Sequence, residues 1–361
     1  MRLRLRQRKY AAPIVAGLVA GGAVAGAALA AADYVFRRMT APPGARRSAQ
    51  FGFTPFETGV DWEDVAFPGG DGAWLRGWLL VRDARAPAVL ACGGYRGRRS
   101  DLLGISSQLW RAGFTVLLFD YVGYGDEPGP VTLGYRELAD ARAALRFLRQ
   151  LRPTAPLGAI GFSMGAAIAV MLAAREPEVG AVLADSPFTD QREIVRFHLG
   201  RRFGLRPSGR TELLAGLLLT LVDRRLARQF GFRFADVHPL RDVARLAPRP
   251  LFLIHGEEDR TIPVEHGRQM VAAARIAGVP VETWFVPGAG HCDAYFRDRH
   301  TYCARAAGFF AAHLGWPQPA LPSGTLDGQV TSPLPLQPTR ESRECTGERP
   351  GAEESRGARM E

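Results

Sequence analysis

Ser163 stands between two glycines in Gly161-Phe162-Ser163-Met164-Gly165. In that spacing a strand can turn sharply into a helix and leave the serine hydroxyl exposed at the bend. A side chain at 161 or 165 would collide with the neighbouring strand or helix, so the turn requires glycine at both positions. A hydroxyl is a weak nucleophile near neutral pH. It needs an adjacent base, a group that orients the base, and amide donors for the oxyanion that forms when a carbonyl is attacked. The bare pattern is weak evidence: with glycine at 41 of 361 positions, chance gives one of the eleven serines this setting with a probability of about 0.14. What surrounds it must decide.

The apolar run Leu157-Gly158-Ala159-Ile160 reads as a strand leading into the turn, and Ala166 to Leu172 reads as a buried helix leading out of it. The Met164 amide, first in that helix, is then one oxyanion donor. Downstream, Leu251–Ile254 runs into His255-Gly256-Glu257-Glu258-Asp259. Asp259 is the candidate orienting acid, with Glu257 and Glu258 read as solvated loop charges. Phe285-Val286-Pro287-Gly288-Ala289-Gly290-His291 sets His291, the candidate base, in a glycine-rich loop after the last strand pattern. His198, His238, His266, His300 and His313 are assigned to surface or packing, and His255 to a local hydrogen bond. No histidine or cysteine has metal-ligand spacing, so neither a metal nor another cofactor is expected.

These residues have to be carried by something. Val60–Phe67 and Trp74–Leu80 flank a Gly69-Gly70-Asp71-Gly72 turn and read as an antiparallel hairpin. Six further strand patterns follow: Ala88–Ala91, Thr115–Phe119, Leu157–Phe162, Ala181–Asp185, Pro250–Ile254 and Val281–Val286. Helical spacing fills the intervals at Leu102–Ala112, Tyr135–Leu151, Met164–Arg175 and His266–Ala277. The alternation predicts an α/β fold with a mostly parallel eight-stranded sheet and helices on both faces. The interval of about 190–245 has no strand pattern and reads as a helical lid; its apolar run Leu213–Val222 is expected to pack within that lid, with lining an acyl pocket or touching a bilayer as the alternatives.

Composition narrows the classes. The chain is 47 % hydrophobic and 23 % charged, which is globular. Its net charge of +10 comes from arginine, Lys9 being the sole lysine, and five cations precede the first apolar run. No basic stripe interleaved with aromatics remains, so nucleic acid is not an expected partner. Cys92, Cys292, Cys303 and Cys345 read as small buried thiols, or as a Cys292–Cys303 disulfide if the domain is extracytoplasmic. From Ala11 to Ala32 there are 22 residues without a charge. As a helix they would span about 33 Å, against a bilayer core of roughly 30 Å. An uncleaved membrane anchor with the catalytic domain outside the cell is the favoured reading, and a cleaved signal peptide with a secreted product the other. The expected organisation is a head and anchor over 1–40, a linker over 41–59, the α/β domain over 60–316 and a disordered tail over 317–361.

The motifs in this order resemble the α/β-hydrolase superfamily of serine esterases and serine aminopeptidase-like enzymes, including single-pass bacterial members; the resemblance covers roughly residues 60 to 315. Ala91-Cys92-Gly93-Gly94-Tyr95-Arg96-Gly97 takes the place of the family's His-Gly-x oxyanion loop, which implies the Tyr95 amide as second oxyanion donor; Gly93 stands where the family has His. Asp120-Tyr121-Val122-Gly123-Tyr124-Gly125-Asp126 resembles the family's Asp-x-x-Gly-x-Gly-Ser turn and reads as structural. The resemblance implies a small-molecule ester or amide as substrate, hydrolysed through an acyl-enzyme on Ser163. A carboxylic ester or thioester is the first expectation; a peptidase or amidase with the same triad, or a noncatalytic membrane-tethered binding protein of the same fold, are the alternatives.

Overall fold

The computed structural model describes residues 22–23, 25–42, 53–204 and 208–317. The eight strands fall where the sequence patterns put them, with ends that move by at most two residues. β1 (Trp62–Pro68) and β2 (Trp74–Leu80) form the hairpin. β3 (Ala88–Cys92), β4 (Thr115–Phe119), β5 (Leu157–Phe162), β6 (Val179–Asp185), β7 (Leu251–Gly256) and β8 (Val281–Val286) complete one sheet in the order β1-β2-β4-β3-β5-β6-β7-β8. From β4 across to β8 all neighbours are parallel, and only the hairpin is antiparallel to its neighbours. The central strands are apolar on both faces because both faces are covered. In β3, Ala88, Leu90 and Cys92 enter one core, and Val89 and Ala91 the other.

Against the first face lie α4 (Tyr135–Leu151), α5 (Met164–Arg175) and α9 (Val264–Ile276); against the second lie α3 (Leu103–Arg111) and α11 (Arg299–His313), while the one-turn helices α2 (Pro55–Thr58) and α10 (Ala294–Arg297) precede β1 and α11. Every residue of α5 from Met164 to Ala173 is buried, as expected for a helix that is apolar all round. Between β6 and β7 the chain inserts α6 (Gln191–Arg202), α7 (Gly209–Phe230) and the short α8 (Pro239–Asp242). Asp190 and Ser208 cap the first two at their N-termini, and Gly231 ends α7 in the left-handed region at φ 72°. The Leu213–Val222 run packs on one edge only: Leu219 and Val222 are buried, whereas Leu213, Leu214 and Leu217 are exposed.

The membrane span expected over residues 11–32 is corrected. Among the described residues no helix is long and apolar enough to cross a membrane. Residues 25–40 form a helix, α1, that lies on the α/β domain. Its Ala32, Val35, Phe36 and Met39 recur at three and four spacing and bury one stripe in the core. Phe36 stacks on Phe230 at 5.7 Å, and Asp33 pairs with Arg37 and with Arg225 of α7. The single-pass location with the domain outside the cell rested on that span and is withdrawn with it. The basic head and residues 11–21 lie outside the described residues, as do most of the expected linker, the expected tail beyond 317, and Cys345.

Candidate active site

At the end of β5, Ser163 takes φ 56° and ψ −118°, a conformation that a residue with a side chain rarely adopts. Its amide donates to Asp185 O at 2.8 Å, and its carbonyl accepts from Ala166 N at 3.0 Å and Ala167 N at 3.2 Å. The flanking glycines let backbones touch. A Cβ at 161 would overlap the Gly165 carbonyl, and one at 165 would overlap the carbonyls of Cys92 and Gly93. As the first residue of α5, Met164 has no intrahelical acceptor for its amide.

The loops after β7 and β8 bring Asp259 and His291 together, with His291 Nδ1 2.7 Å from Asp259 Oδ2. The other carboxylate oxygen, Oδ1, accepts the amides of Thr261 at 2.7 Å and Ile262 at 2.8 Å. His255, fully buried, places Nε2 2.9 Å from Ile262 O and 3.5 Å from Asp259 Oδ2. Burial alone would push the Asp259 carboxyl up. Hydrogen bonds from His255 and His291, the His291 charge and the Ile262 amide outweigh it and hold the group well below the usual carboxylate range. Glu257 and Glu258 are exposed; their amides donate to Val286 O and Ala289 O, tying the acid loop to the base loop.

No hydrogen bond joins the Ser163 hydroxyl to His291 among the described residues; His291 Nε2 lies 3.8 Å from Cys292 Sγ. Contacts of this kind commonly tighten only with substrate in place. The two turns share a support in Asp185-Ser186. Ser186 Oγ donates to Asp185 Oδ1 at 2.9 Å and lies 3.4 Å from the Cys292 amide, while Tyr302 donates to Asp185 Oδ2 at 3.0 Å. Burial drives the Asp185 carboxyl up to about 6 in spite of these donors. Cys92, Cys292 and Cys303 are free thiols, so Cys292 and Cys303 are not bridged.

Beyond β3 the chain passes directly beside Ser163. A Cβ at Gly94 would sit 3.5 Å from Phe162 O and 3.7 Å from Ser163 Cβ. The Tyr95 amide that follows has no acceptor among the described residues. The turn read as structural braces this loop: Asp120 accepts the Arg99 amide at 2.7 Å and its guanidinium at 2.8 Å.

Ser163, Met164 and Tyr95 open into a cavity of about 410 Å³, lined, among the described residues, mainly by apolar side chains and by no carboxylate. The insertion contributes Ile194, Leu199 and Phe203, and α1 contributes Val35 and Met39. Two features of this wall were not assigned to the site from sequence. His198 of α6, expected at the surface or in packing, faces the cavity, and burial together with the charges of Arg201 and His291 lowers its pKa. The contribution of α1 was hidden by its uncharged neighbours, although the 32, 35, 36, 39 stripe is an amphipathic-helix signal.

A mostly parallel sheet with a strand-to-helix serine turn and an acid–histidine pair on the last two strand loops is the hydrolase arrangement of α/β folds. Residues 88–306 match the model of the alpha/beta hydrolase family, and the chain belongs to that family. An uncharacterised protein of Mycobacterium tuberculosis, Rv2307c, is 34% identical over 240 residues, 65% of this chain and 74% of that protein. Among solved structures, the Pyrococcus furiosus esterase Pf2001 superposes with a TM-score of 0.60 at 23% identity, over 77% of this chain and 99% of the other. The Pyrococcus horikoshii acylaminoacyl peptidase gives a TM-score of 0.53 at 15% identity, over 73% and 43%. Both likenesses are of fold. The family supports a hydrolase.

Proposed function

We propose that this protein is a serine hydrolase that cleaves a carboxylic ester or thioester through an acyl-enzyme on Ser163. The observation that carries the reading is the 2.7 Å bond between His291 Nδ1 and a buried Asp259 oxygen, with the His291 loop leaning on the same Asp185-Ser186 support as the Ser163 turn. Asp259 fixes the tautomer that leaves His291 Nε2 free to accept the Ser163 proton. The alkoxide then attacks the substrate carbonyl, and the amides of Met164 and Tyr95 receive the oxyanion, each contributing about 2.7–4 kcal/mol to the barrier reduction. His291 returns its proton to the leaving group, and water, activated by the same imidazole, releases the acid.

The apolar cavity supports an acyl group as the bound portion of the substrate. Fluorophosphonate labelling of the purified chain, with Ser163→Ala as control, tests the nucleophile; labelling that survives in the variant would falsify the assignment. A series of p-nitrophenyl esters of rising acyl length, run beside aminoacyl nitroanilides, tests the substrate class. Faster turnover of the anilides would make the protein a peptidase or amidase with the same machinery.

A further inference from the structure

The last four carbonyls of an α-helix have no donor within the helix, and a buried helix end must find donors elsewhere. At the C-terminal end of α1 those donors come from the oxyanion loop. The Tyr95 hydroxyl donates to Met39 O at 3.0 Å and Arg38 O at 3.2 Å. The Arg96 guanidinium donates to Arg38 O at 3.0 Å and Ala41 O at 3.2 Å. Arg96 holds φ 61°, outside the range comfortable for a side-chain-bearing residue, and its guanidinium lies over the Tyr95 ring at 5.1 Å. Thr40 O in turn accepts from Val131 N at 3.2 Å, so the helix end is pinned from two sides.

Position 93 makes this tether matter. The loop has glycine there and so no side chain to hold it from within, although a Cβ at 93 would meet its nearest neighbours, Leu102 and Tyr121, only at 4.0 Å. We infer that Tyr95 and Arg96 are positioning residues that fix the oxyanion donor by capping α1, which makes the helix at residues 25–40 part of the catalytic apparatus. The inference rests on the reading of the Tyr95 amide as an oxyanion donor. The side chain of Tyr95 and its own amide act together: the hydroxyl anchors on α1, and the amide is thereby held beside Ser163. The aligned carbonyls at this helix end favour a cation, which suits a guanidinium better than a neutral donor.

The test uses the full chain carrying Tyr95→Phe with Arg96→Met, and separately Phe36→Asp, which undocks α1 without touching the loop. Reactive sites are titrated with a fluorophosphonate, and kcat and KM for p-nitrophenyl butyrate are expressed per titrated site. The expected result is a fall in kcat per site of roughly tenfold in both variants, with KM within about twofold for the loop variant and raised for Phe36→Asp, which also takes Val35 and Met39 from the cavity wall, against the 10²–10³-fold fall in kcat that loss of a whole oxyanion donor costs. Arg96→Lys, with Tyr95 intact, should retain most of kcat, since one ammonium can still reach one carbonyl. Unchanged kcat per site in both variants, or fewer titratable sites at wild-type kcat per site, would overturn the inference and leave a merely structural contact. Failure of the wild-type chain to label at Ser163 would instead remove the proposed function, so the two failures are separable.

Discussion

The two sides of the Ser163 turn are held in place by different means. On the acid–base side, Asp259 and His291 are fixed by their own loops: both carboxylate oxygens are engaged within a few residues or across one strand pair, and neighbouring amides knit the loops together. On the other side, in the loop after β3 proposed to hold the oxyanion, Tyr95 and Arg96 lean on a helix that precedes them by more than fifty residues in sequence. Local fixing makes the first side robust and leaves a motif in the chain. Remote fixing leaves the second side dependent on whether α1 docks, and writes no motif beside the residues that need it.

The largest effect should come from breaking the locally fixed side. Asp259→Asn keeps the shape of the pair but reverses the donor that faces His291, and kcat should fall by roughly 10³–10⁴-fold. A loss under tenfold, measured at saturating ester, would mean that another carboxylate orients the base and would erase the contrast. Next comes the tether, where Tyr95→Phe with Arg96→Met should cost roughly tenfold in kcat per site, far less than a triad member because the donor is loosened and not removed.

The pH profile sharpens the same contrast. Because the folded pKa of Asp259 is depressed, its stabilising pair is fully formed above the unfolded value near 4 and is lost only as pH falls through the lower folded value. Above pH 4 Asp259 should therefore contribute no proton to the acid limb of kcat/KM; a limb whose proton count drops by one in Asp259→Asn would place Asp259 outside the buried pair. The smallest effect concerns the shared support. Asp185 is raised to about 6, so the folded state holds a proton there that the unfolded chain has released by pH 5. Stability from this group is greatest at low pH and declines as pH rises through about 6. Melting curves of Asp185→Asn should lack that decline, and the gap in melting temperature between variant and wild type should move in the variant's favour from pH 4 to pH 7. A constant gap would show that the carboxyl titrates normally.

The sheet was readable because strand burial on both faces forces continuous apolar runs such as Ala88–Ala91, and because period and length separate them from helices. The Ser163 turn was readable because backbone contact at 161 and 165 excludes every side chain, which leaves glycines in the sequence as a trace. His198 was not, because a histidine on a helix carries no mark of what lies opposite it. The reading of residues 11–32 failed for a related reason. Absence of charge satisfies a bilayer and a protein surface alike, and only the stripe running on to Phe36 and Met39 favours the second.

By itself, the sequence determined what each segment can do locally: which runs become strands, where a turn must be bare of side chains, and the order in which serine, acid and histidine follow strand ends. These are decided by neighbours a few residues apart. Only the tertiary structure decided that His255 supports Asp259, that Asp185 and Ser186 serve two turns at once, and that α1 closes the cavity and takes the side chains of the oxyanion loop as its cap. Each of these joins groups whose partners are set by how the sheet and its helices pack, and a hydrogen bond between distant segments constrains no spacing that a sequence could display.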